Sequence, residues 1–243
     1  MRVVAIVQAR MGSTRLPGKV LQDLGGATML ERVVSRVRRC CLADEVRVAT
    51  TTNSEDEAIV EESGRLGVAV FRGSEQDVLD RYYQAARQAR AEAVLRITAD
   101  CPFTDPALLD ELLLAFLGQR PDYASNCLRR SYPRGLDGEA MTMDALSRAW
   151  REAGKPHQRE HVTPYIYESP TQFKLLSVAS EEDDSECRWT VDTAEDLEFA
   201  RAVYLHFRNR DEFGWQEVRS LVLAQPRLAE VNRHVPQKCL EEG

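Results

Sequence analysis

Short apolar runs alternate with helix-patterned segments through the first half of this sequence. That order predicts an α/β protein with a mainly parallel sheet flanked by helices. The linking segments are long enough for right-handed crossovers, and Val3-Val4-Ala5-Ile6-Val7 reads as a buried first strand. The second half is less regular and predicts a small β excursion followed by helices.

Strand 3–8 leads into a loop and then a helix near 28–41, where Met29, Leu30, Val33, Val34 and Val37 recur at helical spacing. Residues 46–50 read as the second strand. Ser54 and Glu57 then stand in a capping-box pattern that opens a helix to about residue 66. A third strand over 68–71 precedes a helix at 75–90 with Ser74 as its N-cap. A fourth strand over 93–97 precedes a helix near 106–118 with Pro106 in its first turn. Beyond a charged loop at 126–139, a helix is expected at 143–153, strands at 173–178 and 188–191, and helices from 194 onward. No repeat or linker divides the chain, so one unit over 1–243 is expected, with a helical extension from about 206.

The 43% hydrophobic and 29% charged residues of this 243-residue chain suit a folded core and argue against disorder. No apolar run approaches the roughly 20 residues of a membrane span. A net charge of −7 argues against non-specific nucleic-acid binding. The N-terminal apolar segment is too short for a signal-peptide core. The six cysteines, Cys40, Cys41, Cys101, Cys127, Cys187 and Cys239, contain no C-x-x-C and read as reduced thiols of a cytoplasmic protein. The adjacent Cys40 and Cys41 fall inside the expected first helix, and Cys101 reads as a buried small side chain.

Against the acidic balance, residues 1–22 carry only cations: Arg2, Arg10, Arg15 and Lys19. The loop from Gln8 to Lys19 combines three of them with Gly12, Ser13, Thr14 and Gly18. Small residues let backbone amides approach oxygens, and fixed cations balance several negative charges, so a nucleoside triphosphate is the natural ligand. The loop is not a Walker A sequence, because five residues separate Gly12 from Gly18 and Val20 follows Lys19. No G-x-G-x-x-G follows the strand either.

Ligands of open parallel sheets bind beyond the carboxyl ends of the strands. Asp100 follows the fourth strand there, just before Pro102, and Asp192 ends the segment Trp189-Thr190-Val191, with Thr193 and Asp196 placed to cap the next helix. Two carboxylates opposite a cationic loop suggest Mg²⁺, which takes one or two protein carboxylates, waters and phosphate oxygens. A competing pattern, His157-Gln158-Arg159-Glu160-His161, matches the inverted zinc-peptidase signature H-x-x-E-H. Pro164 interrupts its helix and no apolar stripe would bury it, so Arg159 and His161 read instead as cations able to meet an anionic substrate.

Taken together, Gln8–Lys19, Phe71-Arg72-Gly73-Ser74, Arg96–Pro102, Tyr132-Pro133-Arg134-Gly135-Leu136-Asp137, Arg159–Pro164 and Trp189–Thr193 resemble the cytidylyltransferases related to the spore-coat polysaccharide protein SpsF. These are cousins of the synthetases of CMP-sialic acid and CMP-Kdo, and the match spans roughly 3–205. The resemblance implies a glycosyltransferase-A-like, Rossmann-like fold and transfer of CMP from CTP with release of pyrophosphate, in surface polysaccharide or glycoconjugate precursor synthesis. It places Arg10, Ser13, Thr14, Arg15 and Lys19 on the triphosphate, with Ala9 and Gly12 in the same segment. Arg72, Gly73 and Ser74 are placed near the nucleoside, and Asp100 and Asp192 on Mg²⁺. Arg10, Lys19, Asp100 and Asp192 are thus the expected catalytic set.

Arg129, Arg134, Asp137, Glu139, Arg159 and His161, with Arg130 nearby, are the expected acceptor-binding residues. The acceptor is an anionic small molecule, either a 2-keto-3-deoxy sugar acid or a phosphorylated metabolite. A homodimer is implied by the resemblance. Gly138 departs from the aliphatic residue that relatives carry between the acidic pair, and a looser turn is expected there. A glycosyltransferase using a nucleotide-sugar, which usually holds its metal with Asp-x-Asp, and a non-catalytic nucleotide-binding module are the alternatives. Base choice among nucleotides stays open.

Overall fold

In the computed structural model, which describes residues 1–237, seven strands form one mixed sheet. They are β1 (Val3–Gln8), β2 (Glu45–Thr51), β3 (Ala69–Gly73), β4 (Ala93–Thr98), β5 (Tyr123–Ser125), β6 (Glu139–Thr142) and β7 (Leu175–Ser177). The helices are α1 (Met29–Val37), α2 (Glu57–Arg65), α3 (Val78–Gln88), α4 (Pro106–Gln119), α5 (Met143–Glu152), α6 (Pro156–His161), α7 (Pro164–Tyr167), α8 (Ala194–His206), α9 (Trp215–Ala224) and α10 (Pro226–Glu230).

The strand order is β3-β2-β1-β4-β6-β5-β7. The first four run parallel, β6 is antiparallel to both neighbours, and β7 is parallel to β5. β1 is buried on both faces, which explains its unbroken apolar run. Val3, Ala5 and Val7 pack towards α1, α2 and α4, while Val4 and Ile6 pack towards α3 and α5. A third core gathers Phe103, Trp189, Phe199, Tyr204 and Phe213 beneath α8 and α9. The fully buried Arg36 ties this region to α1 by donating to the carbonyls of Thr104, Asp211 and Phe213 at 2.7, 2.8 and 3.0 Å.

Several expected boundaries shift for identifiable reasons. α1 stops at Val37, so Cys40 and Cys41 lie beyond it, where Asp110 of α4 accepts from the Cys40 thiol and the amides of Cys41 and Leu42. The Ser54–Glu57 capping box does not form. A 3₁₀ turn occupies 54–56, and Asp56 turns inward to accept from the Thr51 hydroxyl and, at 2.6 Å, from the Met11 amide. Asp77, not Ser74, caps α3, and Ser74 Oγ accepts from the Asp77 amide one step earlier. The short strands β5 and β6 flank what the sequence presents as a charged loop. The expected strand at 188–191 is extended chain with a single bridge, Arg134 to Arg188. Thr193 and Asp196 do form the expected reciprocal cap of α8. No helix of the described residues is long and apolar enough to cross a membrane. Cys40, Cys41, Cys101, Cys127 and Cys187 are free thiols, and Cys239 lies outside the described residues.

Candidate active site

Strand order reverses between β1 and β4, which opens a crevice beyond their carboxyl ends. A cavity of about 730 Å³ fills it. Its walls include Ala9, Arg10, Ser13, Thr14, Arg15 and Lys19 from the first loop, Asp100 after β4, and Asp192 before α8.

The loop after β1 is closed on the Met11 carbonyl, which accepts from the Ser13 and Gly18 amides at 2.8 and 2.9 Å. Gly18 turns the chain at φ +69°, a left-handed conformation that suits glycine. The amides of Thr14 and Arg15, both in the cavity wall, find no protein acceptor among the described residues, so they are available to oxygens of a ligand.

Lys19 is the centre of the site. Its ammonium donates to Asp100 Oδ2 at 2.7 Å, Asp192 Oδ1 at 2.7 Å and the Val191 carbonyl at 3.0 Å, which uses all three protons. Burial alone would lower the Lys19 pKa, but the two carboxylates outweigh it and raise it. Burial alone would raise that of Asp100, but the charge and hydrogen bond of Lys19 hold it at about 2. Both groups are therefore ionised at neutral pH. Asp192 also meets Arg15 at 3.0 Å and Arg188 at 2.8 Å through Oδ2. Because the folded value of Asp100 lies below its ordinary 3.8, its contribution to stability is complete above about pH 4 and lost as pH falls towards 2. Urea midpoints in chelator should therefore fall through that acid window, and Asp100→Asn should flatten the fall.

The Asp192 segment reaches the crevice through Gly135. The Arg134 amide donates to the Cys187 carbonyl at 2.9 Å, and the Trp189 amide donates to the Arg134 carbonyl at 2.7 Å. Gly135 has φ +105°, and a Cβ there would stand 2.5 Å from the Thr190 nitrogen. Gly135→Ala should therefore cost at least about 2–3 kcal/mol, read as a lowered urea midpoint.

The expected acceptor residues divide. Asp137 is held by Arg130 in a two-point pair at 2.7 and 2.9 Å, and Glu139 by Arg96 and the Tyr123 hydroxyl. Arg134 lines the cavity with no carboxylate partner among the described residues, and burial followed by the neighbouring Arg130 pushes its pKa down. His161 lines the same cavity. Arg129 is exposed outside the cavity. Arg159 is not brought there either, because its guanidinium binds Asp77 and the Trp150 carbonyl.

Of the residues expected at the nucleotide, Gly12, Arg72, Gly73 and Ser74 stand outside the cavity wall. Arg72 donates to the Thr51 and Asn53 carbonyls at 3.0 Å each and pairs with Glu57. Gly138 does not loosen its turn: the Asn126 side chain accepts from its amide at 2.9 Å. A Cβ there would lie 3.0 Å from Leu109 and Leu112 of α4. The zinc pattern is divided too, since His157 pairs with Glu168 at 2.8 Å while Glu160 and His161 line the cavity. Among the described residues, no group of three or more His, Cys, Asp or Glu stands ready for a metal. Cys101 is buried beside Thr98 and Asp100. Burial, then the Asp100 charge, raises its pKa well above the usual thiol range, so it stays protonated.

Residues 4–224 match the cytidylyltransferase family. The chain belongs to that family. As a cytidylyltransferase it is a CTP-dependent nucleotidyltransferase. It is 34% identical over 231 residues to the spore coat polysaccharide biosynthesis protein SpsF of Bacillus subtilis, covering 92% of this chain and 95% of that one. A cytidylyltransferase structure from Leptospira borgpetersenii superposes with a TM-score of 0.91 at 33% identity, over 98% of this chain and 100% of that one. The CMP:2-keto-3-deoxy-manno-octonic acid synthetase complexed with CTP superposes with a TM-score of 0.67 at 19% identity, over 85% and 100%. That likeness places this cytidylyltransferase among nucleotidyltransferases of Rossmann-like fold, as the sequence led one to expect.

Two partners of the site carried weaker signals. Arg188 grips Asp192 four residues on and Asp196 eight residues on, a spacing that only the turn at 192–193 brings together. Arg96 reads as part of a strand motif, and only the antiparallel register of β4 and β6 sets it opposite Glu139.

Proposed function

We propose that this cytidylyltransferase transfers CMP from CTP to an anionic small-molecule acceptor and releases pyrophosphate, with Mg²⁺ held by Asp100 and Asp192. The observation that carries this reading is the Lys19 ammonium standing between the two carboxylates in the wall of the cavity that the loop also lines. Two aspartates that already share one cation fit a hard divalent ion, whose remaining ligands come from water and phosphate. When bound, Mg²⁺ supplies charge stabilisation at the α-phosphate.

The chain's own residues do the positioning. Arg10, Arg15 and the open loop amides meet the β- and γ-phosphates and the charge that develops on departing pyrophosphate. An acceptor oxygen attacks the α-phosphorus in line as the bond to the bridging oxygen breaks. Lys19 holds the two carboxylates close together and keeps Asp100 ionised. Arg134, which has no carboxylate partner among the described residues, and His161, which lines the same cavity, receive the acceptor's carboxylate or phosphate. The relationship to SpsF favours a product used in surface polysaccharide synthesis. A homodimer, supported by resemblance alone, and a cytoplasmic place, supported by the free thiols, belong to the same reading.

The test is pyrophosphate release across the four ribonucleoside triphosphates with Mg²⁺ and a panel of sugar acids and phosphorylated metabolites. CTP should give release only with an acceptor present. Release with no preference for CTP, or independent of any acceptor, would overturn the reading.

A further inference from the structure

Beyond α10 the chain turns back across the segment that carries Asp192. Asn232, buried at 3% exposure, donates through Nδ2 to the Arg188 carbonyl and to Asp196 Oδ1, both at 2.9 Å. Gln237 accepts from Arg188 Nη1 at 2.8 Å and stands in the cavity wall. Arg188 is thereby held on all three of its nitrogens. Nε and Nη2 donate to Asp196 at 2.9 Å each, Nη2 also reaches Asp192 Oδ2 at 2.8 Å, and Nη1 meets Gln237. Asp196, fully buried, accepts in addition from the Asp192 and Thr193 amides at 2.9 and 3.1 Å. Both the backbone and the carboxylate of Asp192 hang on this Arg188–Asp196 pair, and residues 232–237 close over it.

A carboxylate that must present oxygen to a metal depends on the groups behind it, and removing such partners typically weakens metal binding about 10–100-fold. We propose that Asn232 and Gln237 are positioning residues: this C-terminal strap, acting through Arg188, orients Asp192 and so sets the affinity of the site for a divalent cation with CTP. The inference rests on the reading of Asp192 as a metal ligand.

The experiment follows free Mn²⁺ by electron paramagnetic resonance as it is titrated onto the full chain with CTP present, beside a thermal melt of each variant. Gln237→Ala and Asn232→Ala should each weaken Mn²⁺ binding by about 10-fold. Gln237→Glu keeps an oxygen acceptor on Arg188 and should bind as the parent does. The Gln237 side chain is exposed, so its replacement leaves the fold intact and decides the matter even where Asn232→Ala does not fold. Parental Mn²⁺ affinity in Gln237→Ala would overturn the strap while leaving the Asp192 assignment standing. Equal weakening by Ala and Glu would also overturn it. A parent protein that takes up no Mn²⁺ with CTP would instead overturn the Asp192 assignment itself.

Discussion

Asp100→Asn should lower CTP-dependent pyrophosphate release by at least about 100-fold while lowering the melting temperature only modestly, by the share of stability that the ionised carboxylate contributes. The replacement keeps the shape of the side chain and an oxygen to accept from Lys19, whose other two protons remain on Asp192 and the Val191 carbonyl. What is lost is one negative charge at the place where a cation and a phosphate must be brought together. A neutral amide is also cheaper to bury than a carboxylate, which offsets part of the weaker ion pair. Release kinetics at saturating CTP and a melt on the same preparation check the two halves of this statement. A near-parental rate would remove Asp100 from the catalytic set.

Lys19→Met should have the opposite balance, costing stability as well as turnover. The ammonium is buried and saturated, and its removal leaves Asp100 and Asp192 facing one another with an unmet carbonyl beside them. Breaking a buried pair by deleting one partner costs about 3–5 kcal/mol, and the low end applies here because Arg15 and Arg188 still meet Asp192. Urea unfolding in chelator should show that loss, and millimolar Mg²⁺ should restore part of it by taking the place of the ammonium. Turnover should stay at least about 100-fold down even with Mg²⁺. Unchanged stability in chelator would mean that the two carboxylates are not coupled through Lys19.

That the cationic loop and Asp100 face one crevice is legible in the sequence because their signals are local. The loop after β1 is cationic within a stretch that has no acid, and Asp100 comes straight off an apolar strand whose carboxyl end must face the crevice. Asp192 was found for a reason that the structure amends. It ends an extended segment and not a strand, held at the site by the Val191 amide on the Asp100 carbonyl at 2.8 Å and by the close approach of Gly135. The acceptor side was harder to read, since a charged residue in sequence carries no mark of its partner. Arg130 and Asp137 neutralise each other, as do Arg96 and Glu139, and Arg159 is held by Asp77 from a distant helix cap. Of the arginines expected to meet an acceptor, Arg134 is left facing the cavity.

By itself, then, the amino-acid order determined the alternation of strands and helices, the cationic loop and the two aspartates, because each depends on residues close along the chain. Only the tertiary structure decided which charges are paired. It also inserted β6 antiparallel beside β4 and brought Asn232 and Gln237 back onto Arg188. These outcomes depend on contacts between residues far apart in sequence, where register and packing choose the partner and composition cannot.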